Sequence, residues 1–427
     1  MTGVKAAVGP GIRSFGAGRL AVLALAIALA AAAAQRVVKI AMADRLAAGE
    51  PDAALDWSPR HAEALTRQAL HRFKAGDMEA ARAGATGSLT VAPLHGPAYS
   101  LLAEIAARAE DPQTLALAEV AARRNPRDLR ARARLAEAAL ARGEHDAAME
   151  QLDVILRLSP QQRGRLIPEL LTWSADPAFG DALARTIAAG PTWRPAILSA
   201  MGKRVTEPPV RALYARLRDT GGLSRTETAR WLDDLMRAGE WGAAYAHWAS
   251  QAAAGEGALP AVYNGGFEQA PSGSGFDWRL QRIPGTVTTI APDPGGTGQA
   301  ARIEFLGRQV AQAGLHQALL LPPGRHRVTM RMRIQGLRSD QGLEWVLECA
   351  GQAGLAGRSS RIGGDQGWRE LSWEAVVPTD ECPGQWLRLR NPAPKGTAST
   401  VVGTVWVDDV RIVPLARAAP GSGPAPD

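Results

Sequence analysis

The sequence predicts a multidomain protein of an all-α part followed by an all-β part: an N-terminal membrane helix, an α-solenoid and a C-terminal β-sandwich. Three observations lead to this prediction. An apolar run stands near the N-terminus, prolines recur at a nearly constant spacing in an alanine-rich half, and the last third alternates apolar and polar residues. At 427 residues, the chain is also too long for one compact core and suits two or three domains.

The apolar run LAVLALAIALAAAAA occupies residues 20–34. Basic residues precede it, which predicts a cytoplasmic N-terminus over residues 1–19 and an exported remainder. A retained anchor over residues 20–43 and a signal peptide cleaved after Ala34 both fit this run. We favour the anchor because a helical pattern continues past Ala34. The chain is then a single-pass protein of a bacterial inner membrane, with its bulk in the periplasm.

Charge is distributed unevenly along the chain. The formal net charge is +7, of which residues 1–45 contribute +5, residues 46–259 contribute 0 and residues 260–427 contribute +2. The excess therefore flanks the apolar run, where it acts on membrane topology. Because no basic stripe interleaved with aromatic residues follows, we expect no nucleic-acid partner.

The helical part has the period of a two-helix repeat. Small residues stand seventeen and twelve positions before each closing proline, where two helices must turn and pack closely. The runs FKAGDMEAARAGATGSLTVAP and LARGEHDAAMEQLDVILRLSP resemble the second halves of tetratricopeptide repeats. We assign such repeats to residues 55–160 and further helices that cap them to residues 161–258. The prolines that set the period are Pro59, Pro93, Pro126 and Pro160.

Arrays of this kind bury apolar stripes between neighbouring units and offer a concave surface to a protein partner. The surface here is rich in arginine, in the run RRNPRDLRARAR over residues 123–134. Two interpretations stay open: a solvated helix face, or a surface for an anionic peptide or protein.

The hydrophobic period changes from helical to two in the C-terminal part. The stretch RHRVTMRMRIQG, residues 325–336, places valine, methionine and isoleucine on one face and mainly arginine on the other. This alternation is typical of a half-buried antiparallel strand. LEWVLECA, WRELSWEAVVP, QWLRLRN and GTVWVDDVRIV are further strand candidates between Gly and Pro turns. Several such strands without intervening helices predict a sandwich or jelly roll.

The two ends of this part resemble jelly-roll carbohydrate-binding modules of the galactose-binding-like type. The likeness rests on NGGFE followed by tryptophan at the start and VWVDDVRI at the end, and it spans residues 261–414. It implies contact with glycan. It also implies a structural Ca²⁺ held by Glu268 and Asp408. Their carboxylates are the hard oxygen ligands that Ca²⁺ prefers. A capped turn with a hydrogen-bonded aspartate remains the alternative, and no other cofactor is expected.

Glycan binding needs flat aromatic faces with polar groups around them. Of the six tryptophans in this part, Trp345 and Trp368 are the candidates, because Trp278 fits the fold motif better and Trp373 and Trp406 fit the core better. If the two strands that carry alternating arginines are neighbours, their outward faces form one patch for anionic groups. A sheet face kept soluble by charge is the alternative. The arginines in question are Arg327, Arg331, Arg333, Arg388 and Arg390.

The chain has two cysteines, Cys349 and Cys382, and in an exported domain such a pair predicts a disulfide. Two buried free thiols are the alternative.

The sequence lacks GxSxG, HExxH, CxxC and a phosphate-loop lysine motif, so we do not expect an enzyme. The pairs Glu344/Glu348 and Glu370/Glu374 fit exposed strand positions. We therefore expect a membrane-anchored adaptor for protein partners and glycan in polysaccharide assembly or export. The alternatives are a purely structural scaffold and, further away, a diverged glycan-active enzyme. The Pro/Gly-rich tail, residues 415–427, should be disordered.

Overall fold

A computed structural model describes residues 17–252, 259–351, 354–392 and 400–415. Residues 1–16 of the predicted cytoplasmic segment and residues 416–427 of the predicted disordered tail lie outside the described residues. The described part contains fourteen α-helices followed by ten β-strands, which confirms the predicted fold class.

The chain divides into two compact units. One comprises Met1–Leu166 with Gly190–Trp193, and the other comprises Ile167–Ala189 with Arg194–Asp427. The second unit therefore contains both the C-terminal helices and the β-sandwich. The sequence instead suggests a boundary between those two parts near residue 260, and the packing of the last helix explains the difference.

The first helix, α1 (Ala17–Leu46), extends beyond both ends of the predicted membrane segment. Its part Ala21–Leu46 is long and apolar enough to cross a membrane, a property that a signal sequence would share. The end of α1 belongs to the folded unit, since Ala43 and the following Ala47 are buried in one cluster with Ala64.

The predicted repeats fold as helical hairpins, in which α3 packs on α4, α5 on α6 and α7 on α8. Gly76 and Gly143 provide the tight turns with φ of 87° and 71°, and Glu110, with φ of 53°, does so in the middle hairpin. Ala81 and Ala148 are fully buried, as close helix packing requires. The helices are α2 (Pro51–Trp57), α3 (Ala62–Lys74), α4 (Met78–Val91), α5 (Gly96–Arg108), α6 (Thr114–Arg124), α7 (Leu129–Ala141) and α8 (His145–Leu158).

Six further helices lead to the sandwich. The predicted capping box is present, with Ser224 and Glu227 each accepting from the other's backbone N–H. Arg194 also binds Glu227 at 2.7 Å, and this hydrogen bond lowers the pKa of Glu227 to about 2. The helices are α9 (Pro160–Trp173), α10 (Pro177–Ala188), α11 (Arg194–Lys203), α12 (Pro208–Asp219), α13 (Arg225–Arg237) and α14 (Trp241–Ala252).

The β-sandwich consists of two antiparallel five-stranded sheets. Its strands are β1 (Trp278–Leu280), β2 (Thr286–Pro292), β3 (Gln299–Gln309), β4 (Gln312–Leu319), β5 (Gly324–Arg338), β6 (Glu344–Cys349), β7 (Leu355–Arg358), β8 (Gly364–Val377), β9 (Gln385–Arg390) and β10 (Thr400–Pro414). Sheet A has the order β1-β4-β9-β6-β7, and sheet B has the order β2-β3-β10-β5-β8. Non-consecutive neighbours in both sheets mean that strands far apart in sequence pair with each other.

The core of the sandwich lies between the two sheets. Along β5, Val328, Met330, Met332 and Ile334 point into this core, as the alternation predicts. A disulfide joins Cys349, at the end of β6, to Cys382 in the loop before β9, with a Cα–Cα distance of 5.0 Å.

An aromatic cluster attaches α14 to the sandwich within the second unit. The ring centroid of Trp241 lies 5.5 Å from that of Trp386 and 6.0 Å from that of Phe276. Two turns further along the helix, the ring centroid of Trp248 lies 5.6 Å from that of Phe276. Both helix tryptophans are buried, and aromatic side chains contribute more buried area than other residues.

Glycines in the sandwich make room for these rings. A Cβ on Gly384 would overlap the Trp241 ring, and a Cβ on Gly275 would overlap the Trp248 ring. The sandwich surface is therefore shaped to receive α14, and the last helix is part of the β-domain's fold.

We predict that Gly384→Ala weakens this attachment. Gly384 has no positive φ, so the added methyl acts only by colliding with Trp241. Overpacking of this kind costs about 1–3 kcal/mol, which urea unfolding followed by tryptophan fluorescence would detect. Gly367→Ala is the matched control, because a Cβ there meets no atom within 4 Å. Equal unfolding midpoints for the two variants would contradict the prediction.

Candidate functional site

The predicted arginine patch is divided between two surfaces. Arg327, Arg331 and Arg333 lie on β5 in sheet B, whereas Arg388 and Arg390 lie on β9 in sheet A. The assumption that these strands are neighbours is therefore wrong. The two groups lie on the outer faces of opposite sheets, so they cannot hold one ligand together.

The arginines on β5 are engaged within the protein. Arg327 lies 3.4 Å from Glu374 of the neighbouring strand β8. Arg331 reaches the carboxylates of Asp408 and Asp409 at 3.4 and 3.3 Å, and Arg333 donates to a backbone carbonyl at 2.7 Å. These contacts occupy the three arginines and stabilise sheet B.

The two candidate tryptophans lie in different surroundings. Trp345 is fully buried, because its place opposite Leu389 in sheet A directs the ring into the core. Its proposed role in stacking on sugar is therefore wrong. Trp368 is half-buried on the outer face of sheet B, and the guanidinium of Arg331 lies 4.8 Å from its ring centroid.

The arginines on β9 form a network with β6. Arg390 contacts Glu344 at 2.9 Å and Glu348 at 2.7 Å, and Arg388 contacts Glu348 at 3.1 Å. Arg361 adds a second contact to Glu344 at 3.3 Å. Glu344, expected to be exposed, is only 1% exposed because these two guanidiniums cover it.

A cleft of about 530 Å³ opens beside this network, between the outer face of sheet A and the helices α13 and α14. Three segments distant in sequence meet there, which explains why the sequence did not reveal it. One signal was available: QWLRLR places Trp386 in the same phase as Arg388 and Arg390. The principal lining residues are Asp233, Arg237, Trp241, Arg279, Trp386 and Arg388.

Trp386 is the aromatic centre of the cleft. The Trp241 ring meets it edge to face, and the guanidinium of Arg279 lies 5.2 Å from its ring centroid. Arg279 is itself held by Asp233 at 2.7 Å. The geometry combines a half-buried indole with fixed cationic donors, an arrangement that suits a ligand with both an apolar face and polar substituents.

His316 lies beside Trp386 and has a lowered pKa. Its ring lies 5.4 Å from Trp386. Burial, and then the charges of Arg279 and Arg388, lower its pKa to about 4. His316 is therefore neutral at neutral pH and adds no charge to the cleft.

Glu268 and Asp408, the residues expected to hold calcium, both lie beside Gly266. The Cγ of Glu268 and the Oδ1 of Asp408 both lie 3.9 Å from the place that a Cβ on Gly266 would occupy. Burial and the carboxylates of Asp409 and Asp293 raise the pKa of Asp408. Within the described ranges, no cluster of three or more His, Cys, Asp or Glu side chains is arranged to hold a metal.

No family model and no curated protein matches the chain. Similar solved structures include a CBM4 structure (10% identity, TM-score 0.28, 36% of this chain and 99% of the other). Another is the Family 16 Carbohydrate Binding Module-2, with 12% identity, a TM-score of 0.27, and coverage of 36% of this chain and 99% of the other. A third is the CBM22-1 xylan-binding domain from Paenibacillus barcinonensis Xyn10C, with 13% identity, a TM-score of 0.25, and coverage of 35% of this chain and 93% of the other. These similarities concern the β-sandwich, and at such scores they say nothing of what this chain binds.

Proposed function

We propose that this protein is a membrane-anchored adaptor that contacts glycan through the cleft on sheet A and holds protein partners on its helical repeats. The cleft is the observation that supports glycan contact. It places Trp386 and the guanidiniums of Arg279 and Arg388 in one concave site of about 530 Å³. A pyranose ring can lay its apolar face on an indole while its hydroxyl groups accept hydrogen bonds from arginine.

A second concavity supports protein binding by the first unit. This cavity of about 340 Å³ is lined by residues of α3, α5 and the turn before α7. Among the described residues, the side chains of Arg127 and Arg130 on its edge form no ion pair, whereas Arg134 is bound to Glu104. Free guanidiniums at the edge of a groove favour an acidic segment of a partner protein.

The proposed location is the periplasmic side of a bacterial inner membrane. Basic residues precede α1, which favours export of everything that follows. The helix continues without a break past Ala34, and Ala43 near its end is packed in the first unit. Both features support a retained anchor. An anchored glycan-binding adaptor suits polysaccharide assembly or export at the membrane.

The carboxylates near the cleft support binding in preference to catalysis. A glycosidase needs two carboxyl groups that can reach the glycosidic bond from either side. Glu344 and Glu348 are instead occupied by Arg361, Arg388 and Arg390. Their oxygens stabilise the outer face of sheet A.

A structural Ca²⁺ between Glu268 and Asp408 is part of the proposal. Both side chains lie beside Gly266, and the buried Oδ1 of Asp293 has no hydrogen-bond partner among the described residues. Arg331 links the carboxylates of Asp293 and Asp408. Backbone carbonyls would have to complete the oxygen ligands that Ca²⁺ requires.

We predict that CaCl₂ raises the unfolding temperature of the chain relative to EDTA. At a hundredfold excess over its dissociation constant, the ion would add about 2.7 kcal/mol. Glu268→Gln should abolish the shift, while Glu304→Gln, a carboxylate on β3 paired with Arg302, should keep it. An unfolding temperature that does not respond to Ca²⁺ in the parent chain would refute the site.

We predict that Trp386→Ala weakens glycan binding at least about tenfold, or ~1.4 kcal/mol, because the ring supplies the stacking face. Affinity electrophoresis against acidic and neutral polysaccharides would measure it. Trp368→Ala, on the opposite sheet, is the control and should bind like the parent chain.

Two outcomes would contradict this assignment. If only Trp368→Ala loses binding, the glycan site lies on sheet B. If the parent chain is retained by no polysaccharide, glycan contact fails altogether and the purely structural scaffold is the better account. The unfolding temperature of each variant separates lost binding from lost folding.

A further inference from the structure

The cleft on sheet A carries more positive than negative charge. Three arginines line it, Arg237, Arg279 and Arg388. Asp233 is bound to Arg279, and Asp234 from the same helix is bound to Arg237. The surrounding network does not remove the excess. Around it, the carboxylates of Glu344 and Glu348 are shared by three guanidiniums, those of Arg361, Arg388 and Arg390.

Donor groups remain available on two of these arginines. Arg279 uses one Nη group for both Asp233 and the carbonyl of Gly275, and its other Nη group donates no hydrogen bond within the described residues. Arg388 approaches Glu348 through Nε, and within the described part of the chain its Nη groups donate no hydrogen bond. A planar guanidinium with free N–H groups matches the two oxygens of a carboxylate.

The positions of these arginines are fixed by their surroundings. Asp233 holds Arg279 at 2.7 Å, and Arg279 also donates to the carbonyl of Gly275 at 3.1 Å. The ring of Trp386 lies within 5.2 Å of one guanidinium and 5.9 Å of the other. Both cations therefore lie over the Trp386 ring, next to the place proposed for the sugar.

We propose that the ligand of this cleft is a glycan that carries carboxylates, such as a uronic-acid polymer. The inference rests on the proposed glycan binding and adds its chemical class. Trp386 stacks on the ring of the sugar, and Arg388 and Arg279 bind the acid group beside it. Burial, and then the charges of Arg279 and Arg388, lower the pKa of His316, so this side chain stays neutral beside the cleft.

The test compares one polymer in two forms. Full-length protein in detergent is titrated with polygalacturonate and with the same polymer after reduction of its carboxyl groups. We expect the acidic form to bind at least about tenfold more tightly, or ~1.4 kcal/mol, with a preference that falls as salt is raised.

Variants locate the effect. Arg388→Gln should lose the preference for the acidic polymer, so that the acidic and reduced forms bind with equal affinity. Arg237→Gln, whose side chain is 71% exposed at the edge of the cleft, should lose part of the preference with little risk to folding. Arg411→Gln is the control, since its equally exposed guanidinium lies on β10 in sheet B.

The outcomes separate the two proposals. Equal binding of the acidic and reduced polymers would overturn the selectivity and leave glycan binding intact. A preference that survives Arg388→Gln and Arg237→Gln would place the acid group elsewhere and overturn the assignment. Binding to neither form while neutral polysaccharides are retained would also reject the acidic class, and retention by no glycan at all would reject the proposed function itself.

Discussion

The docking of α14 on the β-sandwich is the interaction on which the second unit depends. Trp241 and Trp248 are 3% and 7% exposed, and each ring faces a glycine of the sandwich. Tryptophans bury about 150–250 Å² each, so at about 25 cal/mol per Å² the two contribute several kcal/mol. Without this helix, Phe276 and part of Trp386 would face water, and sheet A would present a surface without the helical wall of its cleft.

Charge is distributed differently over the two outer faces of the sandwich. On sheet B, Arg331 is surrounded by Asp293, Asp408 and Asp409, and these carboxylates neutralise its charge. On sheet A, the arginines outnumber the carboxylates that hold them, and Asp233 from α13 is needed to place Arg279. The helices thus build the wall of the cleft and orient one of its cations.

Local sequence patterns predicted the helices and strands of this fold. They could not predict the site, because the site depends on which strands pair with each other. The alternation along β5 gave its inward face correctly because one side of that strand meets solvent. On β6, alternation placed Glu344 on the outward face correctly, but it could not show that Arg361 and Arg390 cover this side chain. The prediction of a single arginine patch was wrong because it required β5 and β9 to be neighbours. The order of strands in a sheet cannot be read from the residue pattern of each strand.

Hydrogen–deuterium exchange of the full-length protein tests the docking of α14 most directly. If the helix is part of the sandwich's cooperative unit, the amides of Trp241–Ala252 will exchange as slowly as those of β9 and will open only when the sheet opens. Rapid exchange in this helix while β9 stays protected would show that the two are independent, and the cleft between them would then have no fixed wall.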